Sequence, residues 1–434
     1  MATFFIENYG CQMNVSEADS LRVYLEKEGH KSVNNPLFAD FVILNTCSVR
    51  ESAEERIIGR LGYYRGLKNK KNPRIKVVLM GCMAQYSGEK LSQEFSDVLK
   101  IVWGTYNKEK IGQILSSYEN SFSYTEMKEY KFIDATPQKK FPFKSFLPIS
   151  HGCNNFCSYC IVPYVRGKEI CRGSTEIIEN IKRLVENGVK EVTLLGQNVN
   201  SYFDGNLNFA ELLYSITKET SLERLTFLTS HPKDFSGEII DVILGNDRIL
   251  KYIHLPLQSG NNRILKLMNR KYTIEEYFEK IELIRKIPDV VISTDIIVGF
   301  PSETEKEFLE TIEVVKKIDF NEAYMYYYNP RPYVKANEID GQLPEKEKKR
   351  RLAHLIEVQN FIKSKILHKY IGREYNLLIE SISRKNVSEL LGRTENNLII
   401  FVNGNKDLIG KIVRVRIDEV KDMALKGRIK RSLV

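Results

Sequence analysis

The sequence predicts an α/β chain in three parts: an amino-terminal parallel α/β domain, a central partial (β/α)6 barrel and a small carboxyl-terminal antiparallel β-barrel. Two observations predict the first two parts. Short apolar runs alternate with amphipathic stretches through residues 1–118 and again from 145 onward, and strand–helix alternation builds parallel sheets. A third predicts the last. After residue 370 the pattern changes to short alternating runs broken by Asn403-Gly404, as antiparallel hairpins require.

In residues 1–118 three apolar runs each lead to a cysteine: Phe4-Phe5-Ile6 before Gly10-Cys11, Phe41–Leu44 before Thr46-Cys47, and Val77–Met80 before Gly81-Cys82. Helical stretches separate them; in SEADSLRVYLEKEGH, Ser16 reads as the cap. Ligands of parallel sheets bind beyond the carboxyl ends of the strands. The three cysteines, about 35 residues apart, are therefore expected at one place. Residues 119–144 read as a linker. In residues 145–369 the candidate strands are Phe146–Ser150, Glu191–Gly196, Arg224–Thr229, Tyr252–Leu257, Val291–Gly299 and Ala323–Tyr328. Helices are expected at Thr175–Asn187, Phe209–Thr217 and Glu305–Ile318. Six such units suit an open barrel with its site at the strand carboxyl ends. Residues 344–368 read as a trailing amphipathic helix opened by Pro344. Residues 370–434 form the last domain; its stretch 371–434 holds 13 Lys and Arg against 8 Asp and Glu, giving +5 of the chain's +9.

No apolar run approaches the ~18 residues a membrane span needs, and MATFFIENYG lacks a signal-peptide profile. A cytoplasmic protein without membrane partners is expected. Its seven cysteines are an odd number, which argues against a disulfide framework and for metal or catalysis. Cys153, Cys157 and Cys160 form a Cys-x3-Cys-x2-Cys triplet just after a candidate strand. Three thiolates can hold three corners of a cubane iron–sulfur cluster and leave one iron open for a substrate. A zinc site with His151 as fourth donor is the alternative. Gln197, Asn198 and Asn200 end the second candidate strand, and Asp295 lies in the fifth. Such groups can bind a cofactor or simply cap the next helix.

With Tyr159 before its last cysteine, the triplet resembles the signature of radical S-adenosylmethionine enzymes. YGCQMN at 9–14, NTCSVR at 45–50, GCMAQ at 81–85, HGCNNFCSYCIVPYVRGKE at 151–169, LLGQNVNSY at 194–202, TSHPKD at 229–234 and LPLQSGNNRILKLMNRKYT at 255–273 narrow the resemblance. They are similar to the methylthiotransferases of that superfamily, most closely the MiaB type, over nearly the whole chain and including a TRAM-like terminal barrel. The resemblance implies two [4Fe–4S] clusters, one on Cys153, Cys157 and Cys160 and one on Cys11, Cys47 and Cys82. It places S-adenosyl-L-methionine beside Tyr159, Gln197, Asn198 and Asp295. The implied reaction adds a methylthio group at C2 of N6-isopentenyladenosine at position 37 of tRNA, with a radical abstracting the C2 hydrogen.

The implied partners are that tRNA and an electron donor such as a flavodoxin or ferredoxin, acting on a monomer. Lys411, Arg414, Arg416, Lys426, Arg428, Lys430 and Arg431 would track RNA phosphates. Cys171 is left over and reads as a small side chain without a ligand role. The alternatives are methylthiolation of threonylcarbamoyladenosine in tRNA or of a ribosomal-protein aspartate, and a non-catalytic metal-stabilised RNA-binding protein. One segment departs from the family: an Arg-x-Gly-Thr-x-Ala pattern reads Arg331-Pro332-Tyr333-Val334-Lys335-Ala336 here.

Overall fold

A computed structural model describes residues 1–48, 51–118 and 120–430, without the side chains of 51–53. Val49, Arg50 and Arg431, which belong to the motifs and the basic group above, lie outside the described residues.

The amino-terminal sheet has six strands, in the order Lys31–Ser32, Thr3–Tyr9, Phe41–Thr46, Lys76–Gly81, Leu99–Trp103 and Phe122–Tyr124. Every pairing is parallel. The continuous apolar runs follow from burial on both faces, because alternate side chains point to opposite sides. Val42, Leu44, Val77 and Leu79 pack on one face with Ile57 and Leu61. Ile43, Val78 and Met80 pack on the other with Leu21 and Leu25. Each fully buried Val, Leu or Ile contributes ~1.5–3 kcal/mol. The edge strand Phe122–Tyr124 falls within the stretch read as a linker, and its Tyr124 ring stacks on Trp103 at 5.0 Å. The first helix is Gln12–Lys27, with Cys11 rather than Ser16 at its N-cap. Ser16 lies inside the helix and donates its hydroxyl to the Phe146 carbonyl at 2.7 Å, so a residue suited to capping serves a domain contact instead.

The central strands form two three-stranded parallel sheets. One has the order Arg224–Phe227, Glu191–Leu195, Lys144–Pro148; the other has Tyr252–His254, Val291–Val298, Glu322–Tyr327. A bridge between Leu225 and Ile249 links them, which gives the expected open barrel of six strands. Its outer helices start where their capping residues stand. Thr304 with Glu307 opens Glu305–Ile318, and Asn208 with Glu211 opens Phe209–Glu219; each pair closes a capping box. The trailing helix is Glu345–His368.

The last five strands close into a barrel in the order Glu374–Ile382, Glu389–Thr394, Ile399–Asn403, Ala424–Ile429, Ile412–Lys421. One pairing departs from the antiparallel expectation: Ile399–Asn403 runs parallel to Ala424–Ile429. A ring with an odd number of strands cannot alternate direction all the way round, so one parallel pair is unavoidable. This barrel docks at the amino-terminal ends of the central strands, opposite the cysteine triplet. Lys144 meets Glu191 at 2.7 Å and Glu380 at 2.6 Å, Arg224 meets Glu191 at 2.7 Å, and Arg224 also donates to the Thr394 carbonyl at 2.7 Å.

Candidate functional site

The strands Thr3–Tyr9, Phe41–Thr46 and Lys76–Gly81 are neighbours in register, so that Tyr9 faces Thr46 and Thr46 faces Gly81. Cys11, Cys47 and Cys82 follow these ends, and the structure brings them to one edge of the sheet as expected. Gly10 is needed there: a Cβ on it would lie 2.9 Å from the Cβ of Cys47. Asn14 is buried under this edge. It receives the Cys11 thiol at 3.3 Å and donates to Asn45 Oδ1 and the Thr46 carbonyl at 3.2 and 3.1 Å. The Cys47 thiol hydrogen-bonds to Cys11 and holds it below the ordinary thiol range, at about 6. Arg166 Nε donates to Cys82 Sγ at 3.3 Å. The same guanidinium meets Glu17 at 2.9 Å, and Lys108 meets Glu17 at 2.5 Å. Burial opposes the Glu17 charge, yet Arg166 and Lys108 hold its carboxyl low.

Cys153, Cys157 and Cys160 lie on the loop after the short strand Ser150–His151. Gly152 precedes the triplet at φ +77, and a Cβ there would strike the Lys168 carbonyl at 2.1 Å, so only glycine fits the entry. The loop is tied down from outside. Ser158 donates to the carbonyls of Met268 and Leu267, and Asn269 donates to those of Asn155 and Phe156. Buried Arg270 donates to Cys157 Sγ at 3.3 Å. Burial pushes the Cys160 thiol up to about 12, and raises Cys153 as well.

A cavity of about 880 Å³ opens beside this loop, walled by Tyr159, Cys160, Gln258, Asp295, Arg331 and Lys348 among others. Glu55 of the amino-terminal domain closes one side. Gln258 stands at φ +66, and its Oε1 is buried without a hydrogen-bond partner. Asp295 lies 3.2 Å from His254. Gln197 and Asn198 follow a strand of the other three-stranded sheet and are not part of this wall. Asn198 donates to Asp234 at 2.7 Å, and Asn200 exchanges hydrogen bonds with the His231 backbone. Cys171 sits in the two-residue strand Ile170–Cys171, paired antiparallel with Ser150–His151.

The two cysteine groups meet through one short segment. Ile161 and Val165, just after Cys160, pack with Cys82 and Val334 in a single buried cluster. Val165 and Arg166 are held by the amino-terminal domain: Thr105 donates to the Val165 carbonyl at 2.7 Å and Tyr106 to that of Arg166 at 3.1 Å. His151 is stacked under Tyr130 at 3.8 Å and lies 3.4 Å from the Arg166 guanidinium, a cationic neighbour that opposes zinc binding there. Among the described residues no group of three His, Cys, Asp or Glu closes up as one metal ion would require. The donor chemistry fits two iron–sulfur clusters: each holds three thiols, and each has a buried arginine on a sulfur to offset thiolate charge. The unpartnered Gln258 oxygen and Asp295 fit a polar cofactor beside Cys160.

In the basic barrel, Arg414 and Arg416 alternate outward with buried Val415 and Ile417. Arg414, Lys426 and Arg428 contact Glu374, Glu389 and Asp418 at 3.5, 2.6 and 3.8 Å, and Lys430 also reaches Glu374. Lys411 is exposed. Sequence reasoning did not single out Arg166, Arg270, Glu17 or Gln258; all but Glu17 stand inside quoted motifs, which were the available signal.

An open six-stranded barrel with a three-thiol loop at its mouth defines a radical S-adenosylmethionine domain. Residues 147–315 match the Radical SAM superfamily, residues 3–104 the Uncharacterized protein family UPF0004, and residues 368–430 the TRAM domain. The chain is 42% identical over 435 residues to the tRNA-2-methylthio-N(6)-dimethylallyladenosine synthase of Clostridium tetani, covering 98% of this chain and 96% of that one. It is 42% identical over 436 residues to the synthase of that name from Thermoanaerobacter pseudethanolicus, covering 98% and 92%. This chain therefore belongs to the family of tRNA-2-methylthio-N(6)-dimethylallyladenosine synthases, the MiaB-type methylthiotransferases. Among solved structures, the radical S-adenosylmethionine methyltransferase TsrM from Kitasatospora setae shares the fold at TM-score 0.54 and 12% identity, covering 77% of this chain and 74% of that one. The cobalamin-dependent radical enzyme OxsB does so at 0.53 and 13%, covering 81% and 56%.

Proposed function

We infer that this chain adds a methylthio group at C2 of N6-isopentenyladenosine at position 37 of tRNA by radical S-adenosylmethionine chemistry. The observation that carries this reading is the cluster of Cys82 with Ile161 and Val165. It sets two three-thiol groups either side of one segment, so that both can face a single base. An aromatic C–H bond offers no acidic proton to remove, so acid–base side chains alone cannot functionalise it. Two [4Fe–4S] clusters and S-adenosylmethionine, when bound, supply the sulfur and the radical.

The chain's own residues do the holding. We assign Cys153, Cys157 and Cys160 to one cluster and Cys11, Cys47 and Cys82 to the other, with Arg270 and Arg166 as hydrogen-bond donors to the sulfurs. Tyr159, Asp295 and Gln258 shape the cofactor's wall; Gln197 and Asn198 stand further round the barrel rim. A target base already single-stranded in an anticodon loop can swing into the cavity. The basic barrel sits at the far end of the central strands, so Lys411, Arg414, Arg416, Lys426, Arg428 and Lys430 reach phosphates away from the target base. The ion pairs of Arg414, Lys426, Arg428 and Lys430 lie at the surface, where solvent screens them, so these cations can exchange their carboxylates for phosphate. We assign residues 1–118, 119–144, 145–369 and 370–434 as sulfur-supplying domain, connector, radical domain and RNA-binding domain. The reading includes a cytoplasmic monomer reduced by a small flavodoxin- or ferredoxin-type donor. No helix among the described residues is long and apolar enough to cross a membrane.

Mass spectrometry of tRNA nucleosides from cells lacking the gene tests the substrate. Loss of the 2-methylthio-isopentenyl nucleoside, with its precursor accumulating, is expected. An unchanged nucleoside pool would overturn the reading.

A further inference from the structure

The segment Arg331–Ala336 is pinned at three points and thrown outward between them. Arg331, Val334 and Ala336 are buried. Val334 packs against Cys82, Ile161 and Val165, and the Ala336 amide donates to the Ser158 carbonyl at 2.8 Å. Between these anchors Tyr333 stands at φ +65, a left-handed conformation that is an outlier for a bulky residue. Its side chain is 64% exposed. Nothing in the packing asks for an aromatic ring there, and glycine would hold the same backbone without strain. Strain retained at a site edge is a pointer to function.

A second exposed ring stands beside it. Tyr164, two residues after the cavity-lining Val162, has its ring centroid 6.4 Å from that of Tyr333, with the planes 33° apart. Tyr333 in turn lies two residues after cavity-lining Arg331. Both rings therefore branch from segments that wall the cavity bordering Cys160. Lys335, also exposed, adds positive charge next to them. Exposed aromatic faces beside a cation are what single-stranded bases stack on.

We propose that Tyr333 and Tyr164 form a stacking platform for the unpaired base next to the target adenosine, holding the anticodon loop while the target enters the cavity. This rests on the tRNA reading above. The target's own recognition belongs to the cavity; the platform would set which loop sequences bind well, because stacking strength depends on the base.

The test uses the full-length reconstituted protein and a synthetic anticodon stem-loop carrying N6-isopentenyladenosine, with 2-aminopurine as its neighbour. Binding by the wild-type protein and by Tyr333→Phe should quench the 2-aminopurine. Tyr333→Gly, which relaxes the backbone, should keep or raise Tm, lose the quench and bind the stem-loop about 5- to 150-fold more weakly. Tyr164→Leu should reduce the quench in the same direction. Quenching retained in Tyr333→Gly, at any affinity, would overturn the proposal, as would its absence with the wild-type protein. Failure of the tRNA reading looks different: the wild-type enzyme would then form no 2-methylthio product on this RNA.

Discussion

Glu17→Gln tests whether the buried charges between the two domains carry structural weight. In the wild-type chain one carboxylate oxygen serves both Arg166 at 2.9 Å and Lys108 at 2.5 Å, and all three residues are buried. At an effective dielectric of ~20, opposite charges ~4 Å apart attract by ~4 kcal/mol, most of it offset by desolvation. Removing the anion alone is costly because two buried cations then face each other unneutralised, and breaking a buried pair costs ~3–5 kcal/mol. Trp103, the one tryptophan of the chain, is buried in the same domain, so urea unfolding followed by its fluorescence reads the region directly. With an m value of ~2 kcal/mol per molar, the midpoint should fall by about 1.5–2.5 M. Adding Lys108→Met removes one stranded cation and should restore part of the loss, with a coupling of ~0.5–3 kcal/mol. A midpoint shift below ~0.3 M, or a double variant weaker than the single by the full cost of Lys108→Met, would refute the reasoning.

Burial opposes ionisation of Glu191, yet Lys144 and Arg224 hold its carboxyl at about 2. A depressed carboxylate stabilises above its unfolded value of ~4.3 and loses that contribution as pH falls toward the folded one. Acid titration between these values should cost ~3 kcal/mol and loosen the terminal barrel, and Glu191→Gln should remove that part of the pH dependence; an identical acid limb in the variant would count against it. Cys157→Ser should abolish 5′-deoxyadenosine formation while tRNA binding persists, and retained cleavage of S-adenosylmethionine would refute that cysteine's assignment. Replacing Arg414 and Arg416 with glutamine should lower the slope of log K against log salt by ~0.7–0.9 per lost phosphate contact. Cleavage of S-adenosylmethionine without tRNA should be unchanged; an unaltered salt slope would place the RNA elsewhere.

Much of this architecture is legible in the sequence because it rests on local signals. Period and run length place the strands, and helix Glu305–Ile318 lies where its pattern predicts. Convergence of Cys11, Cys47 and Cys82 follows from one inference, that adjacent parallel strands end together. What the sequence hides is through-space. Arg166 meets Cys82 across 84 positions and Arg270 meets Cys157 across 113; no spacing rule links such pairs. Ser16 misleads because its cap pattern is sound locally, while the chain turns into helix earlier, at Cys11. Gln197 and Asn198 lie at a strand end, as their position in the sequence predicts, while the cavity beside Cys160 is walled by Gln258, Asp295 and the last strand.

Two clusters that serve one base need a fixed separation, and the stretch 120–144 helps to set it by packing on both domains, through the strand Phe122–Tyr124 on one side and Tyr130 on His151 and Ala135 on Asn180 on the other. The contact nearest the thiols is made by residues 161–166, which begin directly after Cys160. Ile161 and Val165 pack on Cys82, Thr105 and Tyr106 hold the Val165 and Arg166 carbonyls, and the Arg166 side chain ends on Glu17 and Cys82. The segment is at once the tail of the radical-domain loop and part of the amino-terminal domain's interior. Moving it would leave each three-thiol group intact on its own backbone and still change the distance between them. Loosening it, as in Glu17→Gln, should therefore uncouple cleavage of S-adenosylmethionine from methylthiolation rather than abolish either cluster. A variant that loses iron from both groups together would argue against this division of labour.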